Sequence, residues 1–181
     1  MRPLSQLIAG ACVMLLTASA SAVPIEGNIS IAGSFIGNAR TFGVTSKFNS
    51  FSGVEITQTG GAYDSTDAAA PVFMSGFCFT DLAEPAHWEY TFGGKTFRFD
   101  ITSVEVQTHN RGFLELTGTG LAHITGLDPT PGTWSLSAAG NSPNFTARFV
   151  VPSQNVPDAG ATLGLLGFAL MSLGFFRKKA L

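Results

Sequence analysis

The sequence holds three histidines, the residue type best suited to acid–base catalysis near neutral pH and to zinc binding. They are His87, His109 and His123, and they lie far apart in the chain. There is no H-E-x-x-H pattern and no close spacing of a histidine with a cysteine. The sequence therefore predicts no zinc site.

A hydrolase triad could in principle combine His123, Asp128 and a serine. Such a nucleophile usually needs a tight turn that presents it, and the G-x-S-x-G pattern of that turn is absent. We therefore expect a protein that is not an enzyme, with a secreted hydrolase as the weakest alternative.

Two aspartates in the segment YDSTDAAA, Asp64 and Asp67, are candidate calcium ligands. The D-x-D-x-D-G loop that gathers oxygen ligands around calcium is missing, which favours a solvated loop. No G-x-x-x-x-G-K-[ST] phosphate loop occurs either. The sequence predicts no bound metal and no cofactor.

Four aromatic residues, Trp88, Trp134, Tyr63 and Tyr90, could stack on sugar rings in a glycan-binding module. Trp88 and Tyr90 also fit an alternating pattern of core residues, and Trp134 follows a turn from which it would enter the core. Two interpretations stay open: core packing for both tryptophans, or glycan stacking by Trp88 and Trp134.

The chain has two cysteines, Cys12 and Cys78. Cys12 lies in a segment that we expect to be removed, which would leave one thiol and no intrachain disulfide. Cys78 stands between two phenylalanines, so a buried small apolar side chain is the favoured interpretation. A reactive or intermolecular thiol is the alternative.

Short stretches with alternating apolar residues recur from residue 23 to residue 152 and predict strands rather than helices. The clearest pair, Trp88–Phe92 and Phe97–Ile101, flanks Gly93-Gly94 and predicts a hairpin with a two-residue turn. A phase break at Thr102-Ser103 predicts a bend. We expect an all-β domain, an antiparallel sandwich or a barrel-like sheet of eight or more strands. Its core would include Ile29, Ile31, Phe35, Val72, Phe73, Phe77, Phe79, Val104, Val106, Leu114, Leu116, Ala122, Ile124, Leu136, Phe145, Ala147, Phe149 and Val151.

The composition supports an ordered domain: 45% of the residues are hydrophobic and 12% are charged, below the usual ~25%. Residues 23–155 contain eleven acids and six bases, a formal charge of −5. Without a basic run to neutralise phosphates, this stretch is not expected to bind nucleic acid.

The N-terminus has the pattern of a secretory signal peptide. Arg2 supplies the positive charge, and Leu7–Thr17 supplies an apolar segment that is short for a membrane span. Ala20 and Ala22 place small side chains where signal peptidase requires them. We predict a signal peptide at residues 1–22 and a mature chain that starts at Val23.

The C-terminus reads VPDAGATLGLLGFALMSLGFFRKKAL. Residues 161–176 are uncharged and predict a transmembrane helix, and the basic residues Arg177, Lys178 and Lys179 argue for a cytoplasmic end. Residues 153–155 form a predicted linker between the β domain, 23–152, and this segment, 156–181.

This C-terminal segment resembles the PEP-CTERM class of bacterial sorting signals, in particular the variant that begins Val-Pro-Asp-Ser-Gly. The matching positions are Val156, Pro157, Asp158 and Gly160, with Ala159 in place of the serine. The turn from Gly126 to Trp134 (G-x-D-P-T-P-G-x-W) is similar to turns in exported PEP-CTERM proteins of unassigned role.

The resemblance implies that an exosortase, an integral membrane protease, processes the chain after signal peptidase has removed its N-terminus. It implies a surface or matrix protein associated with exopolysaccharide and biofilm, held in the membrane by the C-terminal helix before processing. We expect a structural or interaction role, with a glycan-binding module as the alternative.

Overall fold

The structure is a computed structural model and describes residues 23–64, 70–80, 82, 86–140 and 142–153. These residues form ten strands and one 3-10 turn at Phe42–Val44. The strands are β1 Gly27–Gly37, β2 Lys47–Gly61, β3 Phe73–Met74, β4 Phe77–Cys78, β5 Ala86–Phe92, β6 Lys95–Ile101, β7 Glu105–His109, β8 Phe113–Ile124, β9 Thr130–Ala139 and β10 Asn144–Val151. The predicted all-β class is confirmed.

All the strands belong to one antiparallel sheet, in the order β3-β5-β6-β8-β9-β10-β1-β2-β4, with β7 also paired to β8. The first and last strands of this order, β3 and β4, are neighbours in the chain. Met74 pairs with Trp88 of β5, whereas Phe77 pairs with Phe48 of β2. The segment containing β3 and β4 therefore bridges the two sides of the curled sheet and gives it a barrel-like shape.

The inside of the curled sheet is the hydrophobic core, because alternate residues of each long strand point inward. Along β10, Phe145, Ala147, Phe149 and Val151 are all buried. Trp88 lies at the centre, where its ring stacks against Phe99 with an interplanar angle of 7°. Burying a side chain of this size contributes about 2–3 kcal/mol to folding, so the aromatic interior is a main source of stability.

The predicted hairpin is present as β5 and β6. Phe92 pairs with Lys95 across a two-residue turn, and the φ angles of Gly93 and Gly94 are 58° and 76°. Positive φ at both turn residues is the requirement that glycine meets without steric cost. The aromatic residues of both strands therefore reach the core in the register that the sequence predicted.

The predicted bend at Thr102-Ser103 is also present, between β6 and β7. The backbone N–H groups of Thr102 and Ser103 both donate to the Thr119 carbonyl oxygen, at 3.0 and 3.2 Å. As a result β6 pairs with the second half of β8, and β7 pairs with the first half.

Two residues expected in the core are exposed instead. Phe73 is 62% exposed and Val106 is 42% exposed. Phe73 points outward because its neighbours Val72 and Met74 are both buried, and successive strand residues alternate between faces. Val106 lies beside a register shift in β7, which interrupts the alternation.

The sheet has two ends, which we call poles. The proximal pole contains the beginning and end of the described chain, residues 23–27 and 151–153, with the loops 60–64, 92–95 and 124–130. The distal pole contains the loops 37–47, 109–113 and 139–144. Within the described residues no helix is long and apolar enough to cross a membrane, and the predicted helix at 161–176 lies outside them.

Candidate functional site

The residues predicted to direct export and sorting lie outside the described part of the chain. They are Ala20, Ala22, Val156, Pro157, Asp158, Gly160, Arg177, Lys178 and Lys179. The described chain begins and ends at one pole of the sheet. Gly27 pairs with Val151, so the first and last strands lie side by side at the proximal pole. The domain limits and the cleavage site at Ala22 stay predictions.

The turn from Gly126 to Trp134 has a structural role at the proximal pole. The Thr130 hydroxyl accepts a hydrogen bond from the Ile25 N–H at 2.9 Å and donates one to the Asp128 carbonyl oxygen at 2.9 Å. The Asp128 N–H donates to the Val23 carbonyl oxygen at 3.2 Å. The turn thus fixes the start of the predicted mature chain, and the polar atoms of buried Thr130 are satisfied.

The three histidines lie in three different settings. The His87 ring is 5.6 Å from the ring of exposed Phe73. The His109 ring donates from Nε2 to the Phe42 carbonyl oxygen. It also packs against the Phe79 ring in a T-shaped arrangement, with 5.8 Å between the ring centres. These two rings therefore take part in packing and in fixing a loop.

His123 has an acidic neighbour, Asp100, which is not the aspartate of the triad considered as the hydrolase alternative. Its Nε2 lies 3.1 Å from Asp100 Oδ2, and the other oxygen of Asp100 accepts a hydrogen bond from Arg98 Nε at 2.6 Å. Asp128 instead lies in the turn beside Pro24. Among the described residues, no serine hydroxyl bonds to the His123 ring, so the proposed triad of His123, Asp128 and serine is not assembled.

Both tryptophans are core residues. Trp88 is fully buried and Trp134 is 3% exposed, and Trp134 Nε1 donates to the Ser103 carbonyl oxygen at 3.2 Å. Neither ring offers a face to a sugar, which corrects the alternative that they stack on glycans. The reason is the strand register, which turns both side chains inward.

The tyrosines share this interior, and Tyr63 lies 6.4 Å from Trp88 between ring centres. Burial raises the pKa of the Tyr63 hydroxyl well above its ordinary value, and the nearby Tyr90 adds to that rise. Neither Tyr63 nor Tyr90 is exposed enough to form a binding platform.

The candidate calcium ligands are divided between described and undescribed residues. Asp64 is exposed in the turn after β2, and Asp67 lies outside the described residues. In the part of the chain that the structure describes, no three His, Cys, Asp or Glu side chains are grouped so that they could share a metal ion.

Cys78 is half-buried rather than fully enclosed, and Cys12 lies outside the described residues. The Cys78 Sγ lies 3.5 Å from the Ser46 carbonyl oxygen and 3.2 Å from Thr80 Oγ1. Its surroundings combine apolar packing with weak hydrogen bonds, as expected for a small thiol at the edge of a core.

The structure reveals a cleft at the distal pole that the sequence did not indicate. Its volume is about 430 Å³, and we call it the distal cleft. The chain from Phe35 to Phe42 forms one side, and Arg111, Gly140, Ser142 and Pro143 form the other. Arg40 and Arg111 are both exposed, and neither forms an ion pair within the described residues.

Sequence reasoning missed this cleft because its two arginines are 71 positions apart. The only local signal was that both belong to turn segments, Gly37-Asn38-Ala39-Arg40 and Asn110-Arg111-Gly112. The antiparallel pairing of β8 with β9, of β9 with β10 and of β10 with β1 brings the two turns to the same pole.

Comparison with known proteins identifies the C-terminal segment. The family model of the VPDSG-CTERM motif matches residues 155–180, which confirms the predicted PEP-CTERM-type sorting signal of the VPDSG variant. No curated protein and no solved structure matches the chain. The matched motif is the signal of an exported protein of the cell envelope, and it implies processing by a sorting enzyme such as an exosortase.

Proposed function

Because the chain carries a VPDSG-CTERM sorting signal, we propose that it is a non-enzymatic structural or interaction protein of the bacterial surface or extracellular matrix. The match at residues 155–180 is the observation that carries this proposal. In this proposal, signal peptidase and an exosortase are processing partners, and the β domain is the part that acts after sorting. Exopolysaccharide of a biofilm is the partner that fits this location.

An interaction role is supported by the way the domain uses its reactive side chains. The His109 ring bonds to the Phe42 carbonyl oxygen, and His123 Nε2 lies 3.1 Å from Asp100, which accepts a hydrogen bond from Arg98. These contacts hold both imidazole rings within the fold. A barrel-like sheet with a solid aromatic core is a stable carrier for surface loops.

The sorting part of the proposal is tested by replacing Val156, Pro157 and Asp158 with alanine in the producing bacterium. The variant should retain its C-terminal segment and fail to reach the surface, as followed by mass spectrometry and by surface labelling. Ala159→Ser is a matched control, because it completes the Val-Pro-Asp-Ser-Gly motif and should be processed normally. Normal size and normal delivery of the triple variant would refute the sorting role.

The non-enzymatic part needs a separate test. The purified wild-type protein should not cleave polysaccharide, peptide or ester substrates above a heat-denatured sample. A hydrolytic activity that disappears in His123→Gln, while the variant stays folded by circular dichroism, would instead make the protein a hydrolase.

A further inference from the structure

We propose that the distal cleft binds a carboxylated sugar, such as one uronic acid unit of a polyuronate chain, through Arg40 and Arg111. The inference rests on the proposed function in one respect: the surface location is where the protein would encounter this ligand. It places the site in a cleft that the sequence did not indicate, and it names the class of sugar that the site would bind.

The charge distribution of the domain supports an anionic ligand at this pole. The described residues of the distal loops include Arg40, Lys47 and Arg111 and no aspartate or glutamate. The acids Glu26, Asp64 and Asp128 lie at the proximal pole. A domain that is acidic in total therefore gathers three of its six bases at one end.

The guanidinium groups of Arg40 and Arg111 differ from that of Arg98 in that no carboxylate engages them among the described residues. Arg98 is engaged by Asp100 at 2.6 Å, whereas Arg40 and Arg111 have no acidic partner among the described residues. A guanidinium group is planar and presents a fork of donors that matches a carboxylate with two parallel hydrogen bonds. Two such groups on one cleft are suited to a ligand with a carboxylate.

The loop 37–47, which carries Arg40, is stabilised by hydrogen bonds between its own residues. The Asn38 side-chain oxygen accepts from the N–H groups of Ser46 and Lys47 at 3.0 and 3.2 Å, and the Thr45 hydroxyl donates to the Thr41 carbonyl oxygen at 2.9 Å. A loop ordered before binding loses less conformational entropy when the ligand arrives.

The same loop is also fixed against the turn that carries Arg111. The His109 ring donates to the Phe42 carbonyl oxygen. A Cβ atom built on Gly43 would lie 3.3 Å from the Arg111 backbone nitrogen, so the two turns approach closely. The two walls of the cleft are therefore held together.

The shape and the apolar part of the cleft favour a sugar acid over a small inorganic anion. Its volume of about 430 Å³ lies within the range of ~300–1,000 Å³ that is usual for small-molecule sites. Ile36 is 63% exposed on one wall of the cleft, and Pro143 is exposed on the other. Such surfaces suit the C–H face of a sugar ring, while the arginines take the carboxylate.

The test measures binding of the purified full chain in detergent micelles to polygalacturonate, galacturonic acid and neutral dextran. We expect binding to polygalacturonate that weakens with salt, weaker binding to the monomer, and none to dextran. The double variant Arg40→Gln/Arg111→Gln should lower the affinity about tenfold or more, since two charge-assisted contacts are lost.

The matched control is Lys95→Gln/Arg148→Gln, which removes the same charge from other parts of the surface. We expect it to bind within about twofold of the wild type. Arg40→Lys/Arg111→Lys, which keeps the charge and loses the planar fork, should show an intermediate loss. Circular dichroism of each variant verifies the fold.

Three outcomes would overturn the proposal. They are equal losses in the cleft variant and in the control, equal binding of dextran and polygalacturonate, and binding of phosphatidylglycerol vesicles without binding of polyuronate. The last outcome would make the pole a lipid-binding surface. Normal sorting with no polyuronate binding would refute this site alone, whereas polyuronate binding with failed sorting would refute only the proposed route to the surface.

Discussion

The Thr130 hydroxyl accepts a hydrogen bond from the backbone N–H of Ile25 at 2.9 Å, across 105 positions of sequence. It joins the start of the predicted mature chain to the proline-containing turn before β9. Thr130 and Ile25 are both buried, so water cannot replace this bond.

Replacing Thr130 with valine should destabilise the domain by about 1–3 kcal/mol, because the Ile25 N–H and the Asp128 carbonyl oxygen both lose a partner. Urea denaturation followed by tryptophan fluorescence measures this loss. Thr133→Val, on the exposed face of the same strand, should change the stability by less than about 0.5 kcal/mol. Equal losses of stability in the two variants would show that the hydrogen bonds of Thr130 do not stabilise the domain.

Replacement of the two tryptophans by phenylalanine should lower the stability of the domain by different amounts. Trp134 donates to the Ser103 carbonyl oxygen, whereas Trp88 Nε1 has no hydrogen-bond partner among the described residues. Both variants lose similar volume, but only Trp134→Phe also loses a hydrogen bond, so we expect it to cost about 1 kcal/mol more than Trp88→Phe. Thermal and urea unfolding of both variants test this order, and the reverse order would contradict it.

Gly120 should not tolerate a side chain. A Cβ atom there would lie 2.1 Å from Phe99 Cε1 and 2.4 Å from the Asp100 carbonyl oxygen. Gly120→Ala must therefore displace a core ring or separate β6 from β8, at a cost of about 1–3 kcal/mol. Gly112→Ala is the control, since the nearest atom lies 3.9 Å from its added Cβ. Comparable stability of the two variants would mean that Phe99 moves aside freely.

Stability should fall at alkaline pH in part through Tyr63. Its pKa is raised in the folded domain by burial, whereas in the unfolded chain it is about 10. Above about pH 10 the unfolded chain therefore releases a proton that the folded chain keeps, and the free energy of unfolding decreases as the pH rises. Below about pH 10 both states are protonated and this contribution does not change.

The variant Tyr63→Phe lacks this group, so its stability should decline less steeply than that of the wild type between about pH 9 and about pH 11. Urea midpoints measured across that interval provide the comparison. Parallel curves for the two proteins would show that Tyr63 ionises freely in the folded domain.

Much of the secondary structure could be predicted because its signals are local. The pattern around Gly93-Gly94 specified the hairpin of β5 and β6, since glycine permits the turn and period-2 alternation selects the buried face. The same alternation failed at Phe73, where the positions on either side of it face the core.

The candidate sites were harder to predict because they depend on contacts between distant segments. His123 and Asp128 were considered together only as members of a hydrolase triad, whereas the pairing of β6 with β8 places Asp100 next to His123. Arg40 and Arg111 gave no joint signal, although they line one cleft. Both tryptophans carried an ambiguous pattern that only burial resolved.

By itself, the sequence determined the sorting motif at residues 155–180, the all-β class and the hairpin, because each is encoded in adjacent residues. Only the tertiary structure decided that β3 and β4 bridge the curled sheet, that Thr130 fixes Ile25, and that two arginines line one cleft at the distal pole. The physical reason is that strand order and register are set by the packing of the whole core, which no local pattern contains.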